Sequence, residues 1–151
     1  MATVKVSSDI GAPVDTVFAR FTDIQHAAAR VGGIKDIKML TPEGFGLGTR
    51  WIESRQVLGR ADDAEMEVTS FEKNRGYTVT HHKGGVRIDA AFAFEAHPVG
   101  TTVSIEFGFN SQGLPPGLLA PIEWAISDKV RDVLARDLAD LKSSVETLAV
   151  R

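Results

Sequence analysis

From Pro121 to Leu148 the chain reads as one long amphipathic helix. Apolar residues recur at Ile122, Ile126, Val130, Val133, Leu134, Leu138, Leu141, Val145 and Leu148. Steps of three and four keep them on one stripe. Asp128, Arg131, Arg136, Asp140, Lys142 and Glu146 occupy the other side. No Gly interrupts the run, and Pro121 stands at its start, where a missing N–H is tolerated. At about 1.5 Å per residue the helix would span roughly 40 Å. Propensity alone does little for an isolated helix, so the stripe requires a large apolar partner.

The upstream sequence is built to be that partner. Thr3 to Ser7 alternates and reads as a strand. After the Gly11-Ala12-Pro13 break, Val14, Val17, Phe18 and Phe21 form a short helical stripe ending near Thr22. Asp23 is placed to cap a second short helix, Ile24 to Arg30, which Gly32-Gly33 stops. Strands are then expected at Ile34–Thr41, Thr49–Leu58, Asp63–Glu72, Tyr77–Lys83, Val86–His97 and Thr101–Asn110. Turn residues separate them, including Gly59 to Asp62 between the third and fourth strands. Short links between short strands favour an antiparallel meander. The order predicts an α+β fold: a curved seven-stranded antiparallel sheet around a long C-terminal helix, with two short helices after the first strand.

Composition narrows the class. The chain has 151 residues, enough for a single domain over 1–151, and 43% of them are hydrophobic, enough for one core. A net charge of −3 without a basic block argues against nucleic acid as main partner. There is no Cys, so disulfides and thiolate chemistry are excluded. No basic segment followed by an apolar run opens the chain, and no stretch approaches ~18 apolar residues. The expectation is a cytoplasmic protein without membrane insertion.

Period-two alternation assigns faces. Val103, Ile105, Phe107 and Phe109 share one; so do Ile88, Ala90, Phe92 and Phe94; so do Tyr77, Val79 and His81. His82 then points away from His81, so the two cannot clamp one metal. His26, His81, His82 and His97 show no ligand spacing, and no metal site is expected. Gly44-Phe45-Gly46-Leu47-Gly48 is followed by strand rather than by a helix N-terminus, so it reads as a turn and not as a phosphate cradle. No cofactor is expected. With a turn at Gly59–Asp62, Glu53 would lie opposite Glu67 and Arg55 opposite Glu65. All four would then share an outer face with Trp51, away from Ile52, Met66 and Val68. On that face Trp51 would mark a contact surface, for instance of a homodimer. With the opposite parity the four charges become polar pocket walls.

The chain resembles the START/Bet v 1-like helix-grip superfamily, and more narrowly its bacterial polyketide cyclase/dehydrase-like branch. Ile10-Gly11-Ala12-Pro13 with Val17-Phe18, and Gly46-Leu47-Gly48-Thr49-Arg50-Trp51, carry the likeness. So do Arg55 to Arg60 running into Glu67 to Glu72, then Gly100-Thr101-Thr102-Val103, and Asp137 to Lys142 with Glu146. Many members have a Trp after the first helix, where this chain has Ile24-Gln25-His26. The resemblance implies a cavity between sheet and helix that takes a small hydrophobic or aromatic molecule. Its expected wall is Ile52, Met66, Val68, Tyr77, Val79, His81, Ile88, Phe92, Phe94, Val103, Ile105, Phe107, Ile126 and Val130, with Tyr77 and His81 as polar anchors. A cyclase or dehydrase acting on a polyketide-like substrate is the enzymatic alternative, and Tyr77 and His81 are its candidate acid–base groups. A protein-interaction module is a third reading. Leu114 to Ala120, with Trp124 after it, is expected to cover one pocket mouth as a gate or a tight connection.

Overall fold

The computed structural model of the chain describes residues 2–42, 44–57, 59–83, 85–111 and 120–149. Within these, the side chains of 2, 57, 83, 110–111, 120–127 and 148–149 lie outside the description. In chain order the elements are β1 (Ala2–Ile10), α1 (Val14–Thr22), a 3-10 turn (Ile24–His26), α2 (Ala27–Arg30), β2 (Ile34–Met39), β3 (Arg50–Val57), β4 (Arg60–Glu72), β5 (Gly76–Lys83), β6 (Val86–His97), β7 (Gly100–Ser111) and α3 (Ala120–Ala149). The strands form one seven-stranded antiparallel sheet in the order β1-β7-β6-β5-β4-β3-β2. β2 to β7 is the expected meander, and β1 pairs with its last strand. The segment carrying α1 and α2 therefore takes the chain from one edge of the sheet to the other. This is a helix-grip α+β fold with the expected element order.

Turn chemistry explains the hairpins and corrects one of them. Lys83 pairs with Val86, and Gly85 supplies a φ of +80° that suits a two-residue link. Val57 likewise pairs with Arg60, and Gly59 has φ +78°. The link is thus two residues long, not the four of Gly59–Asp62, and β4 starts at Arg60. Glu53 consequently faces Ala64 rather than Glu67. A shift of three residues is odd, and an odd shift exchanges the faces of a strand pair. Trp51 turns inward and is only 2% exposed, so it marks no outer contact surface. Ile52 turns outward instead, between Lys38 and Glu65.

At the β6–β7 turn, Gly100 has φ +151°, and a Cβ there would overlap the carbonyl oxygen of Ile10. A side chain meets both an unfavourable φ and the backbone of β1. Gly100→Ala is expected to lower stability by about 1–3 kcal/mol, read as a lower urea midpoint at unchanged slope.

α3 grips the sheet by its stripe and by three carboxylates. Leu134, Leu138 and Val145 are buried, and Val130 and Leu141 half-buried against the same core. Val133 was expected on the stripe but is 45% exposed. It follows Val130 by three residues yet precedes the buried Leu134 by one, and adjacent helical positions diverge by about 100°. On the flanks, the Glu146 carboxylate accepts from Gly11 N–H at 3.0 Å, and the Asp140 carboxylate accepts from Gly32 N–H at 3.0 Å. Arg55 of β3 reaches Asp137. The side chains of Ile122, Trp124, Ile126 and Leu148, and the expected gate up to residue 119, lie outside the described residues.

The second short helix is not continuous. It begins as a 3-10 turn before α2. Asp23 makes no capping bond to it; the carboxylate instead accepts from His26 Nδ1 at 2.9 Å and from Arg30 at 2.7 Å.

Under α1 the core is aromatic. Phe18 packs edge-on to Phe94 at 5.0 Å and Tyr77 at 5.9 Å, and Phe21 meets Phe94 at 5.3 Å. Tyr77 stacks on Phe92 at 4.6 Å, and Phe45 covers Tyr77 at 4.9 Å. Phe45 comes from the glycine-rich loop, which folds over the core as a turn.

Candidate functional site

Along the inner face of the sheet, burial divides the expected cavity wall in two. Val68, Tyr77, Val79, Phe94, Val103 and Ile105 are buried in the core. Met66, His81, Ile88, Phe92, Phe107 and Val130 are half-buried. Cross-strand pairing sets this second group among apolar neighbours: His81 lies opposite Ile88, Phe92 opposite Tyr77 and Ile105, and Phe107 opposite Ala90 and Val4. The apolar face of the sheet is thus fully buried over one part and only partly covered over another. Ile52 does not belong to this wall, and Ile126 lies outside the described side chains.

The two expected anchors differ in setting. Tyr77 is 4% exposed, beneath Phe18, Phe45 and Phe92. Burial pushes its phenol well above the ordinary range, so it stays neutral and cannot serve as a base at neutral pH. His81 keeps the inner face and half-exposure, and His82 faces out opposite Arg87.

The polar feature that sequence parity misplaced is the inner cluster Glu53–Arg55–Asp137. Alternation from the buried Trp51 puts Glu53 and Arg55 on the inner face of β3. Arg55 Nε donates to Glu53 at 2.9 Å, and its two terminal nitrogens donate to Asp137 at 3.2 and 2.7 Å. Trp51 Nε1 donates to the other Glu53 oxygen at 3.4 Å. The three side chains are 12%, 22% and 15% exposed in that order. Burial raises the carboxyl of Asp137 above its ordinary value, and Arg55 only partly offsets this because Glu53 and Asp140 repel the same charge. Burial works against the Arg55 cation, yet its bond to Asp137 and the field of Glu53 hold it above its ordinary value. The signal for Asp137 was available: 134, 137, 138 and 141 follow the helical spacing, so it sits within the buried stripe. On the outer face Glu65 and Glu67 pair with Arg50 instead, at 2.5 and 3.9 Å, and Arg55 lies opposite Asp62 rather than Glu65.

A concavity of ≈ 500 Å³ opens outside the sheet, lined by Asp15, Thr16, Ala19, Arg20, Asp23, Arg30 and Val145. Its charges are largely spent on each other. Arg30 and His26 hold Asp23 below its ordinary value against the effect of burial, and burial with the nearby Arg30 lowers Arg20. Most of its lining side chains are polar or charged, unlike the mostly apolar lining of a small-molecule site. Among the described residues no cluster of three or more His, Asp or Glu is placed to hold a metal. No described helix is long and apolar enough to cross a membrane.

Comparison with known proteins agrees with this architecture. Protein TTHA0849 of Thermus thermophilus superposes with a TM-score of 0.79 at 16% identity, covering 97% of this chain and 99% of that one. A START superfamily protein of Mycobacterium smegmatis gives 0.76 at 15% identity, covering 97% and 98%. The di-domain ARO/CYC StfQ of the steffimycin biosynthetic pathway gives 0.82 at 9% identity, covering 99% of this chain and 52% of that one. At such identities the likeness shows the fold alone. Among curated proteins none matches. A family model described as polyketide cyclase / dehydrase and lipid transport matches residues 1–146, nearly the whole sequence, and the chain belongs to that family.

Proposed function

We propose that the protein binds one small apolar or aromatic molecule between the concave face of its sheet and α3. The observation that carries this is the half-burial of apolar side chains on the inner face, Met66, Ile88, Phe92 and Phe107, beside fully buried neighbours such as Val79, Phe94 and Ile105. Family membership supports it, since the family description includes lipid transport.

Native mass spectrometry of freshly purified protein, with a titration by the neutral dye Nile red, tests the proposal. The expected result is a co-purified small molecule, or a single saturable dye site with blue-shifted emission. Ala90 is half-buried between Val79 and Phe107 on the same face. Ala90→Phe is expected to weaken the dye by about tenfold or more by filling the space. No co-purified molecule and no saturable dye binding would overturn the reading.

A further inference from the structure

We infer that the Glu53–Arg55–Asp137 cluster is the polar end of the proposed site, and that it selects guests carrying a hydrogen-bond donor and rejects carboxylates. This rests on the binding reading above. Glu53 shares the inner face with Trp51, faces Ile37 across β2 and Ala64 across β4, and so borders the apolar wall.

The argument is one of charge and of donors against acceptors. Two carboxylates share one guanidinium, which leaves one negative charge in a largely desolvated place. Among the described residues Arg55 is the one cation bonded to either of them. Each ionised carboxylate offers about four lone-pair sites and no donor. Against those sites stand three guanidinium bonds and one long indole bond. Asp140 adds a further negative charge nearby, although its own carboxylate is held by Gly32 N–H. A guest hydroxyl or ammonium therefore finds acceptors already oriented, and an ammonium also balances the charge. A guest carboxylate brings a like charge and no donor, so it must desolvate without compensation. The chemistry selected is an apolar or aromatic body bearing a phenol, alcohol or amine.

Four probes with one ring system test this by calorimetric or fluorescence titration at neutral pH: naphthalene, naphthol, aminomethylnaphthalene and naphthoate. Naphthol and aminomethylnaphthalene are expected to bind at least about tenfold more tightly than naphthoate, the order of one charge-assisted hydrogen bond. In Glu53→Gln the gap between naphthol and naphthoate is expected to shrink to within about threefold. Asp137→Asn is the second variant and is expected to narrow the gap in the same direction, so a fold defect in one does not remove the test. Naphthoate binding as tightly as naphthol, or a gap unchanged in the folded variants, overturns this inference alone. Failure of all four probes, naphthalene included, overturns the binding reading and this inference with it.

Discussion

Arg55→Leu is expected to cost about 3–5 kcal/mol of folding stability at neutral pH, because it leaves two buried carboxylates without their cation. Glu53 and Asp137 are only 12% and 15% exposed, so water cannot replace the guanidinium. Arg55→Lys, which keeps the charge but not the planar fork, is expected to lose less. Asp137→Asn is also expected to lose less, since Arg55 and Glu53 remain paired. The pH dependence separates these cases. Asp137 has a folded value raised above 3.8, so the folded state holds this proton more tightly than the unfolded state. Its contribution is therefore favourable on the acid side and is lost as pH rises from 3.8 through the raised value. Wild type should gain stability relative to Asp137→Asn as pH is lowered through that window. Urea denaturation at neutral and acid pH measures all three variants. A loss for Arg55→Leu no larger than for Asp137→Asn would contradict the shared-cation account.

Phe18→Ala is expected to cost a similar amount, about 3–5 kcal/mol, for an unrelated reason. Phe18 is 6% exposed and touches Phe71, Tyr77 and Phe94 at centroid distances of 5.9, 5.9 and 5.0 Å. Its loss leaves a void lined by rigid rings, which cannot collapse onto an alanine. Phe18→Leu should recover part of the loss. The expected readout is a lower thermal or urea midpoint together with weakened near-ultraviolet circular dichroism from the aromatic cluster. A near-wild-type midpoint for Phe18→Ala would show that α1 is not held to the sheet by this contact.

The site was legible in the sequence only where periodicity was clean. In β5, β6 and β7, strict alternation placed His81, Ile88, Phe92 and Phe107 on the concave face, and the structure has them there. In β3 the same rule, applied through a wrong turn, sent Glu53, Arg55 and Trp51 outward and Ile52 inward. The β3 sequence alternates polar with polar, so nothing in its own pattern signals the face; the Trp alone does. The aromatic cluster was visible as residues but not as a cluster. Phe18, Phe45, Phe71, Tyr77 and Phe94 come from five separate elements, and the rule that each apolar face seeks cover does not say which ring covers which. That Tyr77 is sealed beneath three rings, while His81 four residues on stays half-exposed, follows from where α1 and the glycine-rich loop come to rest.

Periodicity, turn residues and the length of the last amphipathic run by themselves determined the element order, the antiparallel meander and the need for a long helix on a sheet. These are local properties, written in spacings of two and of three to four. The register of β3 on β4, the carboxylates that fasten α3 to Gly11, Gly32 and Arg55, and the division of the concave face into sealed and half-open halves were decided only by tertiary structure. Each depends on groups far apart in the chain meeting at a fixed distance. A hairpin link two residues shorter than expected was enough to exchange an outer ion pair for an inner one.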